Sequence, residues 1–200
     1  MDTTKAEKNA NTEHQVAEVI RKRWSPRSFS SEGLEITDIE TILEAATWAP
    51  SAMNEQPWRF AVARKEEPER FEQFASLLKP GNYTWARNAA ALLVVFAISS
   101  YSRNGNKNIN AAHDVGMATQ NLLLQAVSMD IYGHVMEGFD KDLAREVFDL
   151  PDEIFPVSMI ALGKLGNPEQ LDEPYFSREI ARRGRRKVSE LLIDMSDVTN

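Results

Sequence analysis

The spacing of apolar residues predicts two helices in the first quarter of the chain. The first covers residues 13–23 and ends before Ser25-Pro26, because a residue that precedes proline disfavours the helical conformation. The second begins at a capping-box pattern, in which Thr37 stands three residues before Glu40, and Ala49-Pro50 ends it. Each helix has its apolar residues on one face, so each is expected to pack against a core.

Three more helices are predicted further along the chain. One opens at Pro68, which suits a first turn, and the sequence KPGN at 79–82 breaks it. The most apolar helix covers 111–129 and has apolar residues around much of its circumference, which predicts burial on all sides and a subunit interface. Asp140 is expected to cap a shorter helix that runs to about residue 148.

Four apolar segments predict strands. Residues 58–63 alternate, residues 89–98 are apolar on both faces like a central strand, and shorter strands are predicted at 131–135 and 157–162. A loop with several Gly and Pro residues follows at 163–174, and a basic, amphipathic arm ends the chain. Strands and helices are mixed without strict alternation and without an internal repeat, so the pattern favours the α+β class.

Length and composition limit the remaining possibilities. The chain of 200 residues is expected to form one domain over 13–200, including the C-terminal arm, behind a flexible polar leader at 1–12. The absence of cysteine excludes disulfides, thiol nucleophiles and Cys-ligated metal centres. No apolar run approaches the roughly 20 residues of a membrane helix, and the leader lacks the apolar centre of a signal peptide. We therefore expect a soluble, cytoplasmic protein that does not associate with membranes.

Charge is distributed unevenly along the chain. The net charge of −7 argues against binding to nucleic acid. Two segments are nevertheless basic: the first basic segment, residues 21–27, holds four basic residues and no acid, and the second, residues 178–187, holds six basic residues and one acid. Two such segments in an acidic chain favour a discrete anionic ligand, although chance clustering at two solvated helix ends explains the same pattern.

Familiar catalytic and nucleotide-binding motifs are missing from the sequence. It has no dinucleotide-binding G-x-G-x-x-G after a strand, no phosphate-binding P-loop and no G-x-S-x-G nucleophile elbow. The histidines, His14, His113 and His134, lie far apart and predict no metal site; His113-Asp114 is either an oriented general base or a polar pair at a helix start. If the protein is an enzyme, a cofactor is expected to carry the chemistry.

Two segments offer groups that suit a flat, phosphorylated ligand. Residues 23–29 (RWSPRSF) place two guanidinium groups and two hydroxyls around a turn stiffened by proline, and guanidinium groups bind phosphate bidentately. Residues 49–60 (APSAMNEQPWRF) form a polar loop between two prolines, with Ser51, Asn54 and Gln56 before a strand. Amide side chains donate and accept, as the edge of a flat heterocycle requires.

These segments resemble the FMN-dependent nitroreductase family. Residues 23–29 are similar to the family's Arg-x-Ser-x-Arg/Lys-x-Phe start, and residues 50–58 to its Pro-Ser-x-x-Asn-x-Gln-Pro-Trp signature. Further similarities are the apolar strand at 89–96, the helix with Gln120-Asn121, the Glu-Gly-Phe-Asp loop at 137–140 and the Arg-Gly-Arg tail at 183–185. The resemblance implies a nitroreductase-like α+β fold with a central mixed, mostly antiparallel sheet flanked by helices, in a homodimer with two FMN sites at the subunit interface.

The resemblance also implies which residues bind FMN. The first segment would hold its phosphate, ribityl and pyrimidine groups through Arg23, Trp24, Ser25 and Arg27. Two residues of the tail, Arg183 and Arg185, would help. Both basic segments then converge on one dianionic phosphate, which argues against chance clustering. Trp24 departs from the family, which often has a basic residue or His at this position.

Further flavin contacts are implied elsewhere in the chain. The polar loop would contact the flavin from the partner subunit through Pro50, Ser51, Ala52, Met53 and Asn54, with Gln56 in the same loop. Asn82 would contact the flavin from the loop before a strand, and the backbone N–H groups of Glu137 and Gly138 would face the flavin N5/O4 edge. No side chain is assigned a catalytic role. Ala52 stands where the family often has a second Ser, which leaves the choice of substrate open.

The function implied by the resemblance is an NAD(P)H oxidoreductase that works by a ping-pong mechanism. Hydride would pass from NADH or NADPH to FMN N5, and a small-molecule acceptor such as a nitroaromatic or a quinone would then take the nicotinamide's place. Two alternatives stay open: a flavin-dependent dehalogenase or dehydrogenase, and a flavin-storing protein without turnover.

Overall fold

A computed structural model describes residues 8–193, and its centre is a four-stranded sheet. The strands are β1 (Trp58–Arg64), β2 (Ala91–Ile98), β3 (Tyr132–Met136) and β4 (Ile154–Gly163). Their spatial order is β1-β2-β4-β3, and all three pairings are antiparallel. Strands β1 and β3 are therefore the two edges of the sheet.

Helices lie on both faces of this sheet. Their bounds within the described residues are α1 (Glu18–Lys22), α2 (Ile36–Thr47), α3 (Pro68–Ala75), α4 (Pro80–Ala86), α5 (Ala111–Ser128), α6 (Lys141–Val147) and α7 (Tyr175–Ile180). Short 3₁₀ turns occur at Ala52–Asn54, Pro168–Gln170 and Val188–Glu190. The predicted α+β class is confirmed.

The central strand β2 divides the hydrophobic core into two parts. Because side chains alternate along a strand, Leu93 and Val95 enter one core with residues of α2 and α5. Leu92 and Val94 enter the other core, on the opposite face, with residues of α3 and α4. Seven of the eight residues of β2 are buried, which explains why its sequence has no polar face.

All four predicted strands are confirmed, with ends shifted by up to three residues. The largest difference is in β4, which begins at Ile154, three residues before its predicted start, and ends at Gly163. The sheet was expected to be mixed and mostly antiparallel. Within residues 8–193 each strand pairing is antiparallel, because no helix joins two neighbouring strands in the same direction.

Three helix predictions need correction. Helix α1 is short, since residues 13–17 before it are not helical. Helix α2 begins at Ile36 with Glu35 as its N-cap, so Thr37 lies inside the helix and not at its cap. The carbonyl of Thr37 instead accepts a hydrogen bond from the Thr41 hydroxyl (2.7 Å).

The third correction concerns the predicted break at 79–82. This sequence does end α3, but Pro80 at once begins α4, because proline fits the first turn of a helix as well as it ends the previous one. Helix α4 brings Trp85 into the core on one side of the sheet. The cap predicted at Asp140 is confirmed: its carboxylate accepts from the N–H groups of Asp142 and Leu143.

Helix α5 is buried on one side only within a single chain. Val115, Leu122 and Ala126 lie in the core, whereas Gly116 and Gln120 are exposed on the opposite side. The prediction of burial on all sides therefore does not hold for one chain alone. A second subunit would be needed to cover the outer side of the helix.

Part of the predicted leader is held against the domain. The Lys8 ammonium donates to the Ala181 carbonyl, and the Ala10 N–H donates to the Arg21 carbonyl (2.9 Å). These hydrogen bonds link residues 8–10 to both basic segments. Residues 1–7 of the leader and 194–200 of the arm lie outside the described residues.

A helix that crosses a membrane must be both long and strongly apolar. Across residues 8–193, no helix meets both requirements.

The contact between α5 and Gly133 of β3 gives a test of the fold. A Cβ atom at Gly133 on β3 would lie 2.4 Å from Leu123 Cδ2 of α5 and 3.0 Å from Leu162 Cδ2. We expect Gly133→Ala to lower the free energy of unfolding by about 1–3 kcal/mol, because the core must move to accept it. Denaturant unfolding measures this loss.

A double-mutant cycle shows whether Leu123 is the obstacle. If it is, Gly133→Ala combined with Leu123→Ala should be less destabilising than the sum of the two single variants, since each change relieves the other. Strict additivity would contradict the packing of α5 on β3.

Candidate functional site

The turn at residues 23–28 projects the first arginine of the site. Arg23 ends α1, and its guanidinium donates to the Ser25 hydroxyl (3.4 Å). Trp24 is only 6% exposed and packs edge-on against Tyr132, with ring centroids 6.4 Å apart. The Trp24 side chain is therefore part of the core, and any contact of Trp24 with a ligand would be through its backbone.

Three arginines from the two basic segments lie close enough to perturb one another. Burial and the charge of Arg185 lower the pKa of Arg23, and burial followed by the charges of Arg23 and Arg185 lowers the pKa of Arg183. Within residues 8–193, none of the three forms a salt bridge with a carboxylate. Such a cluster repels itself, and an anion bound between the guanidinium groups would relieve the repulsion.

The three guanidinium groups have different additional contacts. Arg183 donates to the carbonyls of Lys8 (2.8 Å) and Arg21 (2.9 Å), which fixes the arm against α1. Arg185 is exposed and donates to the carbonyl of its neighbour Gly184 (2.7 Å). Arg183 therefore anchors the cluster, while Arg185 has most of its donors free for a ligand.

Arg27 lies on another side of the turn. Its guanidinium stacks over Trp85 of α4 at 5.8 Å, and burial lowers its pKa while the charge of Glu179 opposes this effect. The structure thus brings Arg27 to the same turn as Arg23 but directs it towards α4.

His134 on β3 is a residue that the sequence did not single out for this site. Its Nδ1–H donates to the carbonyl of Pro26 (2.8 Å), and its ring lies 4.5 Å from that of Trp85. Because a carbonyl only accepts, this contact fixes the tautomer of the imidazole. Burial, with smaller contributions from Arg27 and Arg23, lowers the pKa of His134 to about 4, so the ring is neutral at neutral pH.

Gly138 and Asn82 are two predicted site residues that lie in contact just beyond the end of β3. The Asn82 amide donates to the Gly138 carbonyl (3.1 Å), and the Lys79 N–H donates to the same oxygen (3.0 Å). A Cβ atom at Gly138 would lie 2.6 Å from Asn82 Nδ2, so this close approach requires glycine. Asn82 thus holds the chain at Gly138.

The residue before it, Glu137, has an exposed side chain that forms a salt bridge with Lys141 (3.5 Å). Within residues 8–193, the backbone N–H groups of Glu137 and Gly138 donate to no protein acceptor. Two neighbouring free donors at the end of an edge strand suit a ligand that presents acceptors there.

Strand β3 connects the arginines at one end with Gly138 at the other. His134 borders the arginines and Gly138 follows the end of the strand, so the two ends lie about 13 Å apart along extended chain. The basic cluster and the free N–H groups therefore form one elongated site beside an edge of the sheet.

The loop at residues 50–56 is strained and largely exposed. Met53, Asn54 and Gln56 have φ values of 57°, 56° and 50°, in a region that residues other than glycine rarely adopt. The Ser51 hydroxyl accepts from the Gln56 N–H (3.1 Å), and the Met53 side chain is 66% exposed. Strain of this kind is found where surrounding structure enforces it, often at ligand sites.

Asp114 of α5 is the anchor of this loop. Its carboxylate is 2% exposed and accepts from the Ala52 N–H (2.9 Å) and from His113 Nδ1 (3.3 Å). The His113 ring is mostly exposed. This arrangement favours the polar pair at a helix start over the general base, because the carboxylate is already committed to the loop.

The loop and the elongated site are not in contact within one chain. Loop 50–56 precedes β1, whereas Glu137 and Gly138 follow β3, at the opposite edge of the sheet. Three strand spacings separate these edges, or about 14 Å. The structure therefore brings together the predicted residues of the turn, the arm and β3, and leaves the predicted loop elsewhere.

Acidic and histidine side chains that lie close together can bind a metal ion. In the described part of the chain, no three or more of these side chains are grouped to hold a metal ion.

The neutral state of His134 predicts how stability depends on pH. Folding lowers its pKa from an ordinary 6.5 to about 4, so the unfolded chain binds more protons between these values. This contribution to stability is complete above pH 6.5 and is lost as the pH falls towards 4, by at most about 3 kcal/mol.

Denaturant unfolding of His134→Asn checks this dependence. Asn keeps a donor for the Pro26 carbonyl but does not titrate. The free energy of unfolding of His134→Asn should therefore fall less between pH 6.5 and 4 than that of the wild type. His113→Asn should show the same fall as the wild type. Parallel curves for wild type and His134→Asn would contradict the assignment.

Known proteins resemble this chain in sequence. The model of the Nitroreductase family matches residues 20–164, which is well over half of the chain. A protein from Archaeoglobus fulgidus with the provisional name NADH dehydrogenase/NAD(P)H nitroreductase is 32% identical over 149 residues. The alignment covers 72% of this chain and 82% of that protein.

Solved structures resemble it in fold. One described as an oxidoreductase containing FMN has a TM-score of 0.88 and 32% identity, covering 94% of this chain and 96% of that one. A provisionally named nitroreductase from Desulfovibrio desulfuricans, solved in complex with FMN, has a TM-score of 0.70 and 28% identity, covering 92% and 98%. The fold is therefore that of the nitroreductases, and with the match of the family model it shows that this chain belongs to the nitroreductase family.

Proposed function

We propose that the protein is an FMN-dependent NAD(P)H oxidoreductase that reduces a nitroaromatic, a quinone or a similar small acceptor by a ping-pong mechanism. The observation that carries this proposal is the cluster of Arg23, Arg183 and Arg185, which makes no salt bridge within residues 8–193 and lies along β3 from two free N–H groups. A phosphate at one end and a flat ring with acceptors at the other match that arrangement.

The residues present fit FMN. Arg23, Arg183 and Arg185, with the Ser25 hydroxyl, would hold the phosphate, since guanidinium groups form charge-assisted bonds with its oxygens. Arg27, on the α4 side of the turn, would bind the ribityl or pyrimidine part. Asn82 would support the flavin from α4, next to Gly138.

Bound FMN would supply the hydride-transfer chemistry, and the chain's residues would bind and orient the reactants. The N–H groups of Glu137 and Gly138 would donate to acceptors at the ring edge and stabilise negative charge that arrives there. Because both donors belong to the backbone, their strength does not depend on pH. Orientation by such fixed donors needs no titrating side chain in the site.

The site would be completed by a second subunit. Pro50, Ser51, Ala52, Met53 and Asn54, with Gln56, would contact the flavin of the partner, because loop 50–56 lies at the opposite edge of the sheet from β3. The exposed side of α5 provides a surface for this homodimer. The FMN of two similar structures and the name of the Archaeoglobus relative support FMN and NAD(P)H as cofactor and donor. A cytoplasmic location is part of the same proposal.

Analysis of the purified protein tests the proposal. We expect a yellow dimer in sedimentation, release of FMN and not FAD on denaturation, and oxidation of NADH or NADPH that depends on an added nitroaromatic or quinone. Protein that takes up no FMN would contradict the proposal. Tightly bound FMN without turnover would instead favour a flavin-storing protein.

A second test separates the backbone of Glu137 from its carboxylate. Glu137→Ala keeps the N–H and removes an exposed side chain, so turnover should fall by less than about tenfold. Glu137→Pro removes the donor and should cost about 2.7–4 kcal/mol of transition-state stabilisation, as for other lost donors of this kind. Steady-state kinetics with saturating donor measures both.

Proline also restricts the backbone, so FMN content and thermal unfolding are measured for each variant. If Glu137→Ala is as damaging as Glu137→Pro while both keep FMN and fold, the carboxylate is the working group and the backbone assignment is wrong.

A further inference from the structure

One buried acid of the second basic segment contacts the first basic segment and has no part in the proposed chemistry. Glu179 belongs to α7, four residues before Arg183, and is only 1% exposed. Its two carboxylate oxygens accept from the N–H groups of Arg27 (2.8 Å) and Ser28 (3.2 Å). The acid of the second basic segment thus binds the backbone of the turn that carries the first.

This contact opposes an electrostatic force that would separate the segments. Arg23 repels Arg183 and Arg185, so the arm would move away from the turn unless another interaction held it. The turn is also fixed on its other side, where the His134 ring donates to the Pro26 carbonyl. The Gly166 N–H also donates to the Ser28 carbonyl (3.0 Å), and the Ser28 hydroxyl donates to the Asn167 carbonyl (2.7 Å). Several contacts therefore fix the turn, and Glu179 supplies a contact from the arm.

Burial of a carboxylate is unfavourable unless its hydrogen bonds compensate. Burial raises the pKa of Glu179, and the two backbone N–H groups and the charge of Arg27 only partly offset this rise. An apolar side chain of the same volume would leave two N–H groups of the turn without their acceptor, which costs about 1–3 kcal/mol for each buried group. The carboxylate therefore both stabilises the turn and fixes its position relative to the arm.

We infer that Glu179 is a positioning residue for the phosphate site: by binding the N–H groups of Arg27 and Ser28, it holds the arm so that Arg183 and Arg185 meet Arg23. The inference rests on the proposed function, because the anion concerned is the phosphate of FMN. Glu179 acts through the backbone of the turn and does not itself touch the ligand.

The variant Glu179→Gln gives a test in which geometry and charge predict opposite results. Removal of a negative charge near the site would, by charge alone, strengthen binding of an anion. The amide of Gln, however, turns one acceptor into a donor that faces an N–H, so the turn must shift. We expect the Kd for FMN to rise at least tenfold, which corresponds to the loss of a hydrogen bond to a charged group.

Riboflavin, which lacks the phosphate, shows whether the effect is local. Flavin fluorescence titrations of the apoprotein give both dissociation constants. In Glu179→Gln the Kd for riboflavin should rise by a clearly smaller factor than the Kd for FMN, because riboflavin loses only the contact of Arg27 and not those of the phosphate. A general loss of structure would weaken both ligands equally. Asp172→Asn, which removes an exposed acid from the loop just before the arm, is the matched control, and Arg185→Ala is the reference for a lost phosphate contact.

The outcomes separate this inference from the proposed function. If the wild type shows no preference for FMN over riboflavin, the phosphate site itself is wrong. If the wild type prefers FMN and Glu179→Gln keeps that preference, only the role of Glu179 is wrong. Should Glu179→Gln fail to fold, Glu179→Asp, which keeps the charge but is one methylene shorter, should still reduce the preference for FMN.

Discussion

The gathering of like charges is the constraint on which the rest of the site depends. Arg23, Arg183 and Arg185 come from segments about 160 positions apart and repel one another, and within residues 8–193 none of them forms a salt bridge that would hold the cluster together. Hydrogen bonds to neighbouring groups hold the cluster in place. Arg183 donates to the carbonyls of Lys8 and Arg21, and Glu179 accepts from the backbone of the turn. The carbonyl acceptors use some of the guanidinium donors, and the remaining donors are available to an anion.

The second constraint is the distance between the two edges of the sheet. The two central strands are almost fully buried and cannot contribute groups to a surface site, so the candidate ligand groups lie at the edges, beside β1 and β3. Asp114 ties the loop before β1 to the start of α5, and α5 crosses the face of the sheet with one side exposed. A second copy packed on α5 is a simple way to bring a loop from one edge to the other.

The sequence predicted what depends on local patterns. The strands follow from short apolar segments, of which residues 58–63 alternate and residues 89–98 are apolar on both faces, and the Asp140 cap follows from its side chain. The motifs that carry the family resemblance include Arg23 and Gly138. Helix α4 was missed because the sequence at Pro80 marks both an end and a beginning. His134 and Glu179 could not be found this way, since their partners in the turn are 108 and 151–152 positions distant, and no local signal announces such contacts.

The charge of the site follows from the kinds of groups that build it. Guanidinium groups stay protonated throughout the physiological range, even where burial lowers their pKa. His134, the histidine beside them, is kept neutral by burial and, to a smaller degree, by the charges of Arg27 and Arg23, with a pKa of about 4. Backbone N–H groups at Glu137 and Gly138 do not titrate. The site therefore presents a nearly constant positive charge near neutral pH, as holding one anion through repeated turnover requires.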